Sequence, residues 1–296
     1  MVDPASTDAD RALFPDTPKR GPIRKLIANY PSAVIGAGLL LVIIALALGA
    51  DWLGTVDPNF IAPARRNRDP SLAAWFGTDA LGRDLYSRVL AGARMSLFVG
   101  LAVAICASAL GIVTGLLAGA VRTLDPVIMR MMDGLMSIPS ILLAIALTAL
   151  SQGSIINVVF AITLAEFPRM CRLVRGLVLS IREQPYVDGA IAAGCTLPQV
   201  LFRHIMPNTF GPVIVQATYI CSAAMITEAA LSFIGAGIPP SIPSWGGIMS
   251  EGRALWQIKP HIIFFPALFL SLTVLAVNML GDGLRDALDP RGARNM

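Results

Sequence analysis

Six long stretches with almost no charge divide this 296-residue chain into shorter polar pieces, and they restrict its fold more than any other feature. They run roughly over residues 31–53, 95–121, 127–150, 155–178, 210–235 and 262–282. About 20 mostly apolar residues are enough for an α-helix to cross the hydrocarbon of a bilayer. In lipid, backbone N–H and C=O groups have no water partner, so only helices and closed β-barrels satisfy them. Barrel strands alternate polar and apolar residues, and these stretches do not. The sequence therefore predicts an all-α integral membrane protein with six transmembrane helices. The fourth stretch is the least apolar. Glu166, Pro168, Arg169, Arg172 and Arg175 crowd its second half, whose lower part is expected to emerge from the bilayer.

Composition excludes several classes. Charged residues make up 14% of the chain and hydrophobic ones 55%, where a soluble domain carries about a quarter charged residues. A net charge of +4 is too small to point to nucleic acid, and the arginines sit beside apolar stretches as membrane-flank charges. Cys106, Cys171, Cys195 and Cys221 are isolated in apolar or small-residue surroundings, without the paired spacing of a zinc site or a disulfide framework. They read as packing thiols. His204 and His261 are too far from other ligand types to suggest a metal.

Residues 1–30 read as a polar tail, acidic first and then basic at Lys19, Arg20, Arg24 and Lys25. The apolar run that follows is longer than the 7–15 residues of a signal-peptide core, so it is expected to be an uncleaved first helix over 31–53. With the N-terminus inside, fourteen basic residues flank the cytoplasmic side and eight the outer side, Arg11 being too far from the membrane to count. Cytoplasmic loops normally carry the excess, and an even number of spans returns the C-terminus to the cytoplasm. The domain plan is then a tail over 1–30, a first helix over 31–53, an outer loop with an amphipathic segment over 54–94, a core of five helices over 95–285 that carries a loop over 183–207, and a tail over 286–296. A second outer loop, 236–261, is rich in Pro, Gly and Trp.

Between the fourth and fifth stretches lies a semi-polar insert, Tyr186 to Asn208, with helical character. It is expected on the cytoplasmic side. The chain offers no phosphate-cradling Gly-x-x-x-x-Gly-Lys-Ser/Thr loop, since its lysines are Lys19, Lys25 and Lys259 and none follows a glycine. An ATP-driven cycle would therefore need its motor on another polypeptide. In the insert, Gly194 permits a turn and Pro198 the start of a second helix. Val200, Leu201, Phe202, Ile205 and Met206 are expected to form an apolar patch beside Arg203 and His204. A helix seated in a partner's cleft transmits rigid-body movement.

The insert resembles the EAA loop of ABC-importer permeases: Glu-Ala-Ala, three residues, Gly, nine residues, then an apolar-x-apolar-Pro end. Asp188, Gly189 and Ala190 take the triplet positions, Gly194 the glycine, and His204 to Pro207 the end. Asp-Gly replaces Glu-Ala, and Pro185 precedes Tyr186. Other segments are similar to the C-type subunit of the dipeptide/oligopeptide/nickel class. These are Phe76-Gly-Thr-Asp-Ala-Leu-Gly-Arg-Asp-Leu-Tyr-Ser-Arg88, Arg130-Met-Met-Asp-Gly-Leu-Met-Ser-Ile-Pro139, and Glu228-Ala-Ala-Leu-Ser-Phe-Ile-Gly235 with Pro243-Ser-Trp-Gly246. A C-terminal signature over Gly281 to Arg291 completes them. The similarity runs from about residue 31 to 291.

The resemblance implies an alternating-access permease of the bacterial inner membrane. Its implied partners are a homologous second permease, two cytoplasmic ATPase subunits that hold ATP and Mg, and an extracytoplasmic solute-binding protein. Cofactors on this chain itself are expected to be none. Residues expected to couple to the ATPases are Tyr186, Asp188, Gly189, Ala190, Gly194, Phe202, Arg203, His204 and Pro207. Peptides are the expected cargo, with nickel complexes, glutathione, opines and oligosaccharides as alternatives.

Each motif also has a local reading. Gly77, Thr78, Asp79, Gly82, Arg83 and Asp84 suit an outer collar in which the acids and arginine pair around tight turns. Arg130 and Asp133, three apart, are expected to pair with each other, as are Glu166 and Arg169. Charges and amides within spans are functional candidates by default. Glu228 and Asn278 either line a translocation path or hydrogen-bond between helices. A stand-alone channel or secondary transporter would need broken helices or several midplane charges, and an intramembrane hydrolase a facing nucleophile and base. Neither accounts for the insert.

Overall fold

A computed structural model describes residues 30–150 and 154–288. The expected tails over 1–29 and 289–296 lie outside the described residues. Ten helices follow one another among those that are described. They are α1 (Pro31–Leu48), α2 (Leu85–Ala120), α3 (Asp125–Met136), α4 (Ser140–Leu150), α5 (Ile155–Arg182), α6 (Pro185–Ala192), α7 (Leu197–Val200), α8 (Met206–Ile234), α9 (Trp245–Gly252) and α10 (His261–Leu288). A π turn, Leu201–Ile205, joins α7 to α8 without a break. No strand occurs among the described residues, only two isolated bridges.

Four of these segments are long and apolar enough to cross a membrane: α1, α2, the α7–α8 unit and α10. The third expected span is a pair, α3 and α4, bent by 83° at their junction. The cause is Pro139, which biases the residue before it away from helix. If the pair counts as one, the total is five. The fourth expected span is the 28-residue α5, whose charges keep it from qualifying on apolarity alone. Boundaries move as well. α1 ends at Leu48 rather than 53, in a short 3₁₀ turn over Ala50–Trp52. α2 begins at Leu85 rather than near 95, because Asp84 caps it: the carboxylate accepts from Ser87 N at 2.8 Å and from Ser87 Oγ at 2.6 Å.

Small residues let the helices approach. On α2, Gly111, Gly115 and Gly119 present bare backbone to Met170, Cys171, Val174 and Val178 of α5, and an added Cβ at any of them would fall within 2.7 Å of those residues. Such contacts dominate where lipid supplies no hydrophobic drive between helices. One apolar core joins α2, α5 and α8 through Val99, Val103, Ile162, Met170, Val174 and Ile220. A second, around Ile43, Leu85, Val89, Trp245, Ile248 and Ile262, packs α1 and α10 against the start of α2 and against α9.

The charged half of α5 is neutralised side by side. Arg169 reaches Glu166 at 3.0 Å, as expected from their spacing. Arg175 grips Asp125 with two bonds of 2.7 and 2.6 Å. Asp133 does not find its partner three residues away at Arg130; it accepts from Arg172 on α5 at 2.5 Å. The bend at Pro139 lays α3 across α5, and this brings Asp133 to Arg172. Arg182 closes the helix by donating to Gly119 O (2.9 Å) and Ala120 O (3.2 Å), the last carbonyls of α2, where a cation favours the negative end of the helix dipole.

Candidate functional site

The insert lies at the end of the bundle shared by Pro31, Arg182 and Leu288. α6 starts with Pro185, whose missing N–H is harmless at a first helical position. It ends in a Schellman cap: Cys195 N donates to Ala190 O at 3.1 Å and Gly194 N to Ile191 O at 2.9 Å. Gly194 adopts φ +87°, the left-handed conformation this cap requires. Thr196 N then donates to Gln199 Oε1 at 2.8 Å, opening α7. Pro207 cannot donate to the preceding turn, and that turn is wound as a π turn in which Met206 N donates to Leu201 O.

Two limbs therefore form one rigid hook. Val187, Val200 and Ile205 point inward and join the main core. Asn208 Nδ2 donates to His204 O (2.6 Å) and to Tyr186 Oη (3.3 Å), tying the limbs together. Tyr186, Ile191, Leu197 and Phe202 are left outside, with Phe202 68% exposed. Asp188, Gly189, Gly194, Arg203 and Pro207 are exposed beside them, and Ala190 and His204 are half-buried. The single apolar patch expected over 200–206 is thus divided. Val200 and Ile205 anchor the hook, while Phe202 projects from it: in the π turn residues five apart share a face, and Phe202 falls on the other side.

At the other end of the bundle the segment Gly77 to Arg88 builds a collar around a buried four-charge clasp. Asp79 Oδ2 accepts from Arg83 Nε and from Arg88 Nη1, both at 2.6 Å. Glu251 of α9 accepts from Arg88 Nη1 and Nη2 at 2.6 and 3.0 Å, and from Arg83 Nη2. Asp79 and Arg88 are each 1% exposed. Asp79 Oδ1 also accepts from Leu81 N (2.8 Å) and Arg83 N (2.9 Å). Gly77 (φ +81°) and Gly82 (φ +79°) make the turns, and Thr78 Oγ1 accepts from Arg68 N at 2.9 Å and donates to Arg65 O. The charges of the motif are thus engaged within the fold, Asp79, Arg83 and Arg88 with Glu251 of α9 and Asp84 as the cap of α2.

Burial raises the Asp79 carboxyl, but the Arg83 backbone N–H and the two guanidinium groups outweigh it and hold it below the ordinary 3.8. A carboxylate with a lowered folded-state value contributes stability above its unfolded value and loses it as pH falls through the folded one. The collar should accordingly remain closed at neutral pH and loosen only below about pH 3.8. Amide hydrogen exchange over residues 65–85 as a function of pH checks this, and Asp79→Asn should remove the acid-dependent step.

Within the spans, Asn278 Oδ1 accepts from Ser222 Oγ at 2.7 Å, between α10 and α8. Glu228 is fully enclosed, accepting from Ser232 Oγ at 2.8 Å and from Ser96 Oγ of α2 at 3.4 Å. Among the described residues no three His, Cys, Asp or Glu side chains converge on a metal position. Sequence reading missed Glu251, Asp125 and the exposed pair Asp69–Lys259, 2.7 Å apart. Their partners are 163, 50 and 190 residues distant. Each has a nearer opposite charge in the sequence (Arg68 for Asp69, Arg122 for Asp125, Arg253 for Glu251), so no local signal pointed to the partner found in the fold.

A helical bundle with a buried carboxyl group within a span, a collar closed by its own charges and a projecting apolar hook defines a multi-pass membrane scaffold. The chain belongs to the binding-protein-dependent transport system inner membrane components, whose family model matches residues 107–294. It is 50% identical over 270 residues to a "Probable peptide ABC transporter permease protein" of Sinorhizobium fredii, covering 91% of this chain and 92% of that one. It is 41% identical over 277 residues to the "Glutathione transport system permease protein" of Pectobacterium atrosepticum, covering 93% and 92%. Its fold is similar to that of a chain of the inward-facing MetNI methionine ABC transporter, with TM-score 0.52 and 19% identity, over 66% of this chain and 94% of that one. The fold is that of an ABC importer permease, and the chain is a multi-pass inner-membrane protein.

Proposed function

We propose that this chain is the membrane-spanning subunit of an ATP-driven importer of peptides, working beside a homologous second permease. Two ATPase subunits hold the ATP and Mg and bind the hook; a solute-binding protein delivers cargo at the collar. The observation that carries this reading is the hook itself. Tyr186, Ile191, Leu197 and Phe202 are exposed apolar side chains on α6 and at the start of an α7–α8 unit of 38 residues, far more than the roughly 20 that a span needs, so that in this reading the hook projects from the bilayer. Exposed apolar groups rimmed by polar ones mark a protein-binding surface. In this reading the hook and both termini face the cytoplasm, in keeping with the excess of basic residues on that side. The chain itself does no covalent chemistry, needs no cofactor and has no nucleic-acid partner. ATP binding in the partners favours one of two states of the bundle, and access alternates as the hook moves.

Peptide cargo is supported by the names of the two bacterial relatives, a peptide permease and a glutathione permease, glutathione being itself a tripeptide. The test is to purify the tagged chain from its native membrane with whatever accompanies it, isolate the binding protein and identify its cargo by mass spectrometry. Two ATPase subunits, a second permease and bound peptides are expected. Transport by this chain alone in liposomes, with no ATPase present, would refute the assignment.

A further inference from the structure

The side chain of Glu228 is completely buried inside a membrane span, and what surrounds it is neither a cation nor a path. Its oxygens accept from Ser232 Oγ (2.8 Å) and Ser96 Oγ (3.4 Å), and the Ser244 hydroxyl also faces it. Each of these serines holds a different element. Ser96 lies on α2 and accepts from Trp245 N at 3.4 Å. Ser232 accepts from Ile238 N at 3.2 Å, in the loop that leaves α8. Ser244 caps α9, accepting from Gly247 N at 3.2 Å. The helices themselves touch here without intervening side chains. A Cβ on Gly246 of α9 would lie 2.5 Å from the Ala229 backbone of α8, and one on Gly92 of α2 would lie 3.3 Å from Ser244.

Three connections run outward from this junction. Toward the hook, α8 continues through the π turn into α7 without a gap. Toward the collar, α9 carries Glu251 at its far end, which grips Arg83 and Arg88. Trp245 Nε1 donates to Val89 O at 3.0 Å, and Ser250 Oγ to Phe233 O at 2.9 Å, so α9 cannot turn independently of α2 or α8.

We propose that Glu228 is a positioning residue of transport: its carboxyl locks the collar end of α8 to α9 and α2, so that movement of the hook reaches the collar as one rigid displacement. This rests on the importer reading above. A carboxyl group suits the position because its two oxygens can meet several hydroxyls at once, and a buried polar group left without partners is costly enough to keep them in place. An apolar residue would fill the space but remove the shared acceptor that ties the Ser96, Ser232 and Ser244 hydroxyls together, leaving α9 held by its Trp245, Ser250 and Glu251 bonds.

The test uses the complete complex reconstituted in liposomes with its cognate binding protein as purified from cells, carrying its endogenous cargo. Wild-type ATP hydrolysis should rise when that protein is added; if it does not, the importer reading itself fails. Given that rise, Glu228→Gln, which keeps volume but replaces one carboxyl oxygen with an amide NH2 that cannot accept from a hydroxyl, should leave assembly and unstimulated hydrolysis intact. It should cut the stimulation by about tenfold, within the usual range of coupling between sites. Glu228→Asp should restore part of it. If Glu228→Gln does not assemble, Ser96→Ala carries the test, because it removes one donor without enlarging the core appreciably. Stimulation equal to wild type in an assembled variant overturns the proposal, as does a parallel fall in stimulated and unstimulated rates.

Discussion

Deleting residues 186–207 should release the ATPase subunits from this chain and abolish transport while leaving membrane insertion unchanged. Gly194→Val should give most of the same loss from a single side chain. Nothing lies within 4 Å of the space a Cβ would take at Gly194, so the effect is not a clash. It comes from φ +87°. A left-handed residue costs roughly 1–2 kcal/mol for an L-amino acid, and a β-branched one is a genuine outlier there. The penalty is met most cheaply by opening the cap, which frees the Ala190 and Ile191 carbonyls and lets α6 swing away from α7. Tyr186 and Phe202 would then no longer be held at a fixed separation. Co-purification with the ATPases reads the loss directly, and insertion is read from protein recovered in the membrane fraction. Full association of Gly194→Val would mean that the hook's geometry is not what the ATPases recognise.

Arg88→Met should be the most destabilising single change in the collar. The guanidinium is buried, and its removal leaves Arg83 alone to balance Asp79 and Glu251. Breaking a buried ion pair from one side typically costs about 3–5 kcal/mol, because a charge is left without compensation. Glu251 is 23% exposed and softens the loss by turning to solvent. The collar carries only part of the fold's apolar burial, so the change should appear as a lowered thermal midpoint in detergent and as early proteolysis within residues 54–84. Adding Glu251→Gln should recover part of the midpoint, since the remaining Arg83 and Asp79 form a neutral pair 2.6 Å apart. An unchanged midpoint in Arg88→Met would show that the clasp contributes nothing net, which is an outcome known for some buried pairs.

Both variants act on motifs visible in the primary sequence, yet for reasons found elsewhere. Asp79, Arg83 and Asp84 look alike as collar charges. In the fold, Asp84 is a helix cap for α2, whereas Asp79 and Arg83 belong to a buried network completed by Glu251. No local pattern marks Glu251, because its partners are 163 and 168 residues away. The same holds for Asp133: spacing favoured Arg130, but the bend at Pro139 gave it Arg172. Glu228 and Asn278 stood out as polar residues in apolar stretches, and both make hydrogen bonds between helices.

What the sequence alone determined is the all-helical membrane architecture, the place of the hook between the fourth and fifth stretches, and its turn at Gly194. These depend on uncharged length, on the absence of alternation and on a residue without a Cβ, all of which are local properties. Tertiary structure decided which polar groups find one another and which face of the hook is left uncovered. Apolar content made Val200, Ile205 and Phe202 equivalent; the packing of α7 and the π turn against the bundle buried the first two and left the third exposed. Pairing across the bundle depends on helix crossings set by close backbone contact, and those arise only when distant segments pack together.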